Sequence, residues 1–109
     1  MDALTAIKTR NATPRLAGSV SATALDKILH AGLRAPDHAL LRPWKILIVK
    51  GDERRRLGAL FAQASVSKDP SQTQEQIERL KNKALRAPVI VVVAAKIKEH
   101  VKVPEVEQL

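Results

Sequence analysis

Apolar residues along the chain follow two spacings, one typical of helices and the other of strands. After Ser21, apolar side chains recur every three or four residues and predict a helix with one buried stripe, formed by Leu25, Ile28, Leu29 and Leu33. Two continuous apolar runs, 46–49 and Val89–Ala95, predict strands, and the lack of polar alternation predicts burial on both faces of each strand. The pattern therefore indicates a fold of mixed helices and strands.

Capping residues and prolines predict where the first helices begin and end. Asp2 is a good N-cap for a short helix over residues 3 to about 8, and Ser21 is a good N-cap for the second helix. Pro36 ends the second helix, because the residue before a proline avoids helical backbone. Pro88 similarly ends a later helix before the second strand.

Two further helices are expected between the strands. Asp52 caps a third helix, and the polar residues 65–68 break its apolar pattern, so we expect it to end there. Asp69, Pro70 and Gln72 then predict the start of a fourth helix, with the aspartate as N-cap, the proline at the first helical position and the glutamine at capping-box spacing.

The sequence pattern predicts structural elements that residues 1–109 do not complete. Pro104, followed by Glu105 and Glu107, has the pattern of a helix start, yet the sequence stops at Leu109. Both predicted strands are patterned for the middle of a sheet, where each needs a neighbour on either side. We therefore expect residues 1–109 to be the N-terminal part of a single domain, with the remainder lost, removed or supplied by another chain.

Composition restricts the class of protein. Hydrophobic residues make up 45% of the chain, which is ordinary for a globular protein, while aromatic residues make up only 2% and cysteine is absent. No basic, apolar leader is visible at the N-terminus. The longest apolar run is far shorter than the ~20 residues that span a bilayer. These features predict a soluble cytoplasmic protein without disulfides, thiolate metal sites or a membrane anchor.

The formal net charge of +8 favours anionic partners. The basic residues are dispersed, however, and the single tight run, Arg54-Arg55-Arg56, is more often a solvated helix face than a binding patch. With almost no aromatic side chains for base stacking, we expect no specific nucleic-acid binding.

Motifs for side-chain catalysis are missing. The sequence has no phosphate-binding loop, dinucleotide fingerprint, zinc-protease motif or nucleophile elbow, and its three histidines lack metal-ligand spacing. We therefore predict neither a catalytic side chain nor a metal site. If the protein is an enzyme, a cofactor carries the chemistry.

Two polar segments could bind such a cofactor. Residues 10–15 combine two arginines with small polar residues in a loop, and guanidinium groups bind phosphate in bidentate fashion. Residues 34–44 place Arg34, Asp37, His38, Arg42 and Trp44 in one short stretch whose two prolines rigidify the connection. The alternative is structural: a solvated basic loop in the first case, and a rigid connector with a core tryptophan in the second.

The order of these segments resembles the nitroreductase family, in particular a small subgroup of NAD(P)H nitroreductases. That subgroup opens with Met-Asp-Ala-Leu and Arg-Arg-Ser, continues with Arg-Ala-Pro-Asp-His and Pro-Trp, and later has Arg-Ala-Pro and Lys-Val-Pro. The matching segments here are Met1-Asp2-Ala3-Leu4, Arg10-Asn11-Ala12, 34–38, Pro43-Trp44, Arg86-Ala87-Pro88 and Lys102-Val103-Pro104. Asn11 and Ala12 depart from the pattern by replacing an arginine and a serine.

The resemblance implies an α+β, nitroreductase-like fold with a mixed sheet flanked by helices, here truncated after the second strand. It also implies an obligate homodimer with FMN shared between subunits. Arg10, Asn11 and Ala12 would hold FMN from one subunit, while Arg34 and His38 would reach it from the other. Hydride would pass from NADH or NADPH through FMN to a small nitroaromatic or quinone-like acceptor. The alternatives are a basic, non-enzymatic binding module and an inactive fragment of such a reductase.

Overall fold

The structure is a computed structural model that describes residues 1–36, 41–97 and 99. Within these residues the chain forms an α+β arrangement of helices and strands. In chain order these are α1 (Ala3–Thr9), α2 (Ala22–Gly32), β1 (Trp44–Lys50), α3 (Glu53–Lys68), α4 (Gln74–Lys83) and β2 (Val89–Ala95). The predicted fold class is confirmed. The helix start predicted at Pro104 lies outside the described residues.

The first two helices begin where the capping residues predict. The Asp2 carboxylate accepts a hydrogen bond from the Thr5 backbone N–H at 2.8 Å, and the Ser21 hydroxyl oxygen accepts one from the Ala24 N–H at 3.1 Å. Each bond satisfies a backbone donor that has no partner within the helix. The backbone and side chain of Thr5 hold the pKa of Asp2 below its ordinary value of 3.8.

Helix α3 continues through the polar stretch at which we expected it to end. It runs to Lys68, and the Asp69 N–H still bonds to the Ser65 carbonyl at 2.9 Å. The prediction was wrong because surface serines and a lysine interrupt an apolar pattern without breaking the backbone ladder. The helix stops where Asp69 adopts extended dihedral angles.

The start of helix α4 was also predicted wrongly. Its N-cap is Thr73, whose hydroxyl accepts from the Gln76 N–H at 3.2 Å while the Gln76 side chain accepts from the Thr73 N–H at 2.9 Å. Asp69 instead accepts bonds from the N–H and hydroxyl of Ser71, which lower its pKa. Both aspartate and threonine are followed three residues later by glutamine, so the capping-box spacing occurs twice in succession, and only the second copy opens a helix.

Strands β1 and β2 form an antiparallel pair in which Trp44 lies opposite Ala95 and Lys50 lies opposite Val89. The positions of both strands confirm the sequence prediction. Burial on both faces does not hold: Val93 is 66% exposed and Leu47 is 44% exposed, although they belong to opposite faces. Besides β2, helix α3 packs against β1, and Val93 stays largely exposed within the described part of the chain.

The tightest packing lies between helices α3 and α4. Ala62 of α3 and Ala84, at the end of α4, are only 3% and 1% exposed. Gly58 is buried in α3, and a Cβ placed there would overlap the carbonyl oxygen of Lys81. Small residues therefore allow the two helices to approach at backbone distance.

Helices α1 and α2 lack such packing. No residue of either helix is buried, and the predicted apolar stripe of α2 is only half-buried at Leu25 and Leu29, while Ile28 is 57% exposed. The predicted burial of this stripe is wrong in the described structure, because no described element packs extensively across it. Among the described residues, no helix is both long and apolar enough to cross a membrane.

Candidate functional site

The loop that follows α1 carries the first predicted cofactor-binding segment. The Arg10 N–H ends the helix by bonding to the Ala6 carbonyl at 3.0 Å, and the side chains of Arg10, Asn11 and Ala12 are exposed. Within the described chain, Arg10 forms no ion pair and its guanidinium donates no hydrogen bond. It is therefore free to bind an anion from solution.

The far end of the same loop is anchored to the connection between α4 and β2. The Leu16 N–H donates to the Arg86 carbonyl at 2.7 Å, and the Arg86 Nε donates to the Pro14 carbonyl at 2.6 Å. These two reciprocal bonds join residues that are about 70 positions apart in sequence. The loop thus has a fixed base at residues 14–16 and an exposed segment at residues 10–12.

The second predicted segment follows helix α2. Arg34 lies just beyond the helix end, where its N–H bonds to the Ala31 carbonyl at 3.1 Å, and its exposed guanidinium also lacks an ion-pair partner among the described residues. His38 lies outside the described residues. Arg42 adopts a left-handed backbone (φ 48°) just before the half-buried Trp44.

The Arg10 and Arg34 side chains share no hydrogen-bond or ion-pair partner among the described residues. The resemblance assigns these residues to opposite halves of a site shared by two subunits, for which no contact within one chain is needed. The assignment of Arg10, Asn11, Ala12, Arg34 and His38 to a cofactor site stays a prediction.

The three arginines of the Arg54-Arg55-Arg56 run do not have the same contacts. Arg55 and Arg56 are exposed and pair with Asp52 and Glu53 one turn earlier, as expected for a solvated helix face. Arg54 is different, because its half-buried guanidinium donates to the Ala87 carbonyl at 2.7 Å and to the Gly51 carbonyl at 3.1 Å. Arg54 therefore ties α3 to the segment that leads into β2.

Beside the anchored loop, Arg15 of the first predicted segment meets side chains from α4 and from the connection to β2. Arg15, Lys83 and Arg86 line one cavity of about 510 Å³ together with Arg79. The sequence placed Arg15 in a basic loop and Arg86 at a helix end, and the spacing of neither residue indicated that they would meet. In the described residues, no group of three histidine or acidic side chains could hold a metal ion.

Comparison with known proteins adds a family relationship. The chain matches the nitroreductase family over residues 16–108. It is 37% identical over 109 residues to a protein of Escherichia coli strain K12 that carries, as a provisional assignment, the name NAD(P)H nitroreductase YdjA. It is 36% identical over 111 residues to a protein of Haemophilus influenzae with a similarly provisional name.

These alignments cover 99% and 100% of this chain but only 58% and 59% of the respective relatives. The chain therefore corresponds to somewhat more than half the length of each relative.

Proposed function

Because the chain belongs to the nitroreductase family, we propose that it is the N-terminal part of an FMN-dependent oxidoreductase. The substrates would be NADH or NADPH as hydride donor and a nitroaromatic or quinone-like molecule as acceptor. The observation that carries this proposal is the family match over residues 16–108, which includes the described structure from α2 to β2 and begins after the Arg10–Ala12 segment. A cytoplasmic location is part of the proposal, and a sequence without cysteine is compatible with that reducing compartment.

The residues present fit an anionic cofactor. Arg10 and Arg34 have exposed guanidinium groups without carboxylate partners in the described chain. A guanidinium without a partner can bind a phosphate in bidentate fashion, and the backbone N–H groups of Asn11 and Ala12 can add donors. Ala12 offers no hydroxyl, so phosphate binding depends more heavily on Arg10. Bound FMN would supply the two-electron redox chemistry.

The protein's own contribution is to position the flavin and to set the charge around it. Arg34 and His38 are proposed to approach the ring from the second subunit, where positive charge and hydrogen-bond donors favour the reduced, anionic flavin. No side chain is required as a nucleophile.

A homodimer is part of the proposal, and exposed apolar surface supports it. On α1, Leu4 and Ile7 are 68% and 72% exposed, and on α2 Ile28 is 57% exposed. Exposed apolar side chains of this kind are typical of surfaces against which another chain packs.

FMN titration tests the proposed site. Flavin fluorescence is followed as FMN is added to the chain and to the variants Arg10→Ala and Arg34→Ala, with Arg55→Ala as the matched control on the solvated face of α3. Each of the two site variants is expected to weaken binding by at least about fivefold, which corresponds to ~1 kcal/mol, while the control stays unchanged. Equal affinities in all four proteins, or failure to bind FMN even in a chain extended to the length of its relatives, would refute the assignment.

A further inference from the structure

The cavity of about 510 Å³ beside the anchored loop contains a concentration of positive charge that the proposed flavin site does not use. Its lining includes Arg15 of the loop segment 10–15 but none of the five residues assigned to FMN. The full lining consists of Arg15, Glu75, Glu78, Arg79, Asn82, Lys83 and Arg86. Its volume lies within the ~300–1000 Å³ that small-molecule sites occupy.

Three separate segments bring these cations together. Arg15 comes from the loop, Lys83 from the last turn of α4, and Arg86 from the connection to β2. The reciprocal bonds of Arg86 with Pro14 and Leu16 hold two of the three segments in place. Arg86 uses only its Nε in these bonds, so its terminal amino groups keep their donors for a ligand.

The carboxylates in the lining do not neutralise these three cations. Glu75 pairs with Arg79 at 3.3 Å, and Glu78 pairs with Lys81 at 3.5 Å. Arg15, Lys83 and Arg86 have no ion-pair partner in the described part of the chain, and all three are exposed. The lining thus holds four cations against two carboxylates, and the excess positive charge is both unpaired and accessible.

We propose that this cavity binds the phosphate group of a small phosphorylated molecule, at a position separate from the proposed flavin site. A phosphate dianion matches the excess of two positive charges, its oxygens match the fork of an arginine, and Asn82 adds an amide donor at the rim. The remaining volume leaves room for an organic group attached to that phosphate, as in a nucleoside monophosphate.

A structural role for the same residues makes a different prediction. Cations near the C-terminal end of a helix stabilise it through the helix dipole, and Lys83 occupies such a position in α4. If that were the only role of Lys83, its replacement would lower stability without affecting any ligand. Stability and binding must therefore be measured on the same variants.

The test uses the 109-residue chain with two probes, inorganic phosphate and adenosine monophosphate, titrated by calorimetry at constant ionic strength. The variants are Arg15→Gln, Lys83→Gln and the double variant, with Arg55→Gln as a control outside the cavity. Each single change is expected to weaken binding about threefold to tenfold and the double change more than tenfold, while the control stays within about twofold. Tighter binding of the nucleotide identifies a nucleotide ligand, and equal binding of both probes identifies a site for the phosphate group alone.

An Arg10→Ala variant separates this proposal from the proposed flavin site. We expect Arg10→Ala to keep full phosphate affinity even though it weakens FMN binding. Three results would overturn the proposal: no saturable binding of either probe at millimolar concentration, an equal loss in the Arg55→Gln control, or a loss in Arg10→Ala with none in Lys83→Gln. Thermal unfolding without ligand, followed by circular dichroism, shows whether a weakened variant is still folded. If a single variant is unfolded, the other single variant decides the outcome.

Discussion

Replacing Gly58 by alanine tests whether the backbones of α3 and α4 lie too close together for a side chain at position 58. The new Cβ would overlap the Lys81 carbonyl oxygen and would lie 3.1 Å and 3.2 Å from the Lys81 carbonyl carbon and Cα. These are backbone atoms, so they cannot swing away as a flexible side chain can. Overpacking of this kind costs about 1–3 kcal/mol, whereas alanine gains about 1 kcal/mol over glycine in helix propensity. Because the overlap is with backbone atoms, the cost should lie in the upper part of this range, about 2–3 kcal/mol, and we therefore expect Gly58→Ala to lower the free energy of unfolding by about 1–2 kcal/mol.

Gly32 provides a matched control, because it also lies in a helix but has no atom within 4 Å of a Cβ built on it. Gly32→Ala should therefore leave stability unchanged or raise it by up to ~1 kcal/mol. Urea unfolding, followed by circular dichroism at 222 nm, measures both variants against the original chain. Opposite shifts of the midpoint at an unchanged m-value are expected. A Gly58→Ala chain that is as stable as the original would refute the close approach of the two helices.

Four further outcomes are expected. Arg54→Ala should lower the free energy of unfolding by about 1–2 kcal/mol in urea, because it removes the hydrogen bond to the Ala87 carbonyl. Arg55→Ala should change it by no more than ~0.5 kcal/mol, and equal effects of the two changes would contradict the different roles of these arginines. The pKa of Asp2 is lowered in the fold, so its cap stabilises α1 above the unfolded pKa, and this stability is lost as the pH falls through the folded pKa. Acid should therefore reduce the helicity of the original chain more than that of Asp2→Ala. DNA binding should be weak and steeply salt-dependent, and a sequence-selective complex at physiological salt would show otherwise. A chain extended to the length of its relatives should be more soluble, richer in flavin and faster in NAD(P)H oxidation; a short chain that is soluble, monomeric, yellow and equally active would disprove this.

Local interactions made several elements predictable. The caps at Asp2 and Ser21 act within three residues of the helix they begin, so the sequence contains the whole interaction. The strand at Val89–Ala95 was predictable because a continuous β-branched run has few alternatives to a strand. The fourth helix was not, because two successive segments offer the same capping-box spacing and local sequence does not choose between them.

Sequence likewise predicted only one of the two candidate sites. The family resemblance singled out Arg10 and Arg34, and the structure adds that both guanidinium groups are exposed and lack ion pairs within the described chain. The cavity beside the anchored loop could not be predicted, since Arg15 and Arg86 are far apart in sequence and meet only through the bonds that anchor the loop.

Sequence alone therefore determined the class of fold, the family, the positions of both strands and the starts of the first two helices, because each depends on neighbouring residues or on an ordered set of motifs. Tertiary structure decided the antiparallel pairing of the strands, the contact that requires glycine at position 58, and the exposure of apolar side chains such as Ile28 and Val93. Burial is a property of what packs against a residue. An apolar pattern can show that a face needs a partner, but only the folded chain shows whether the partner is present.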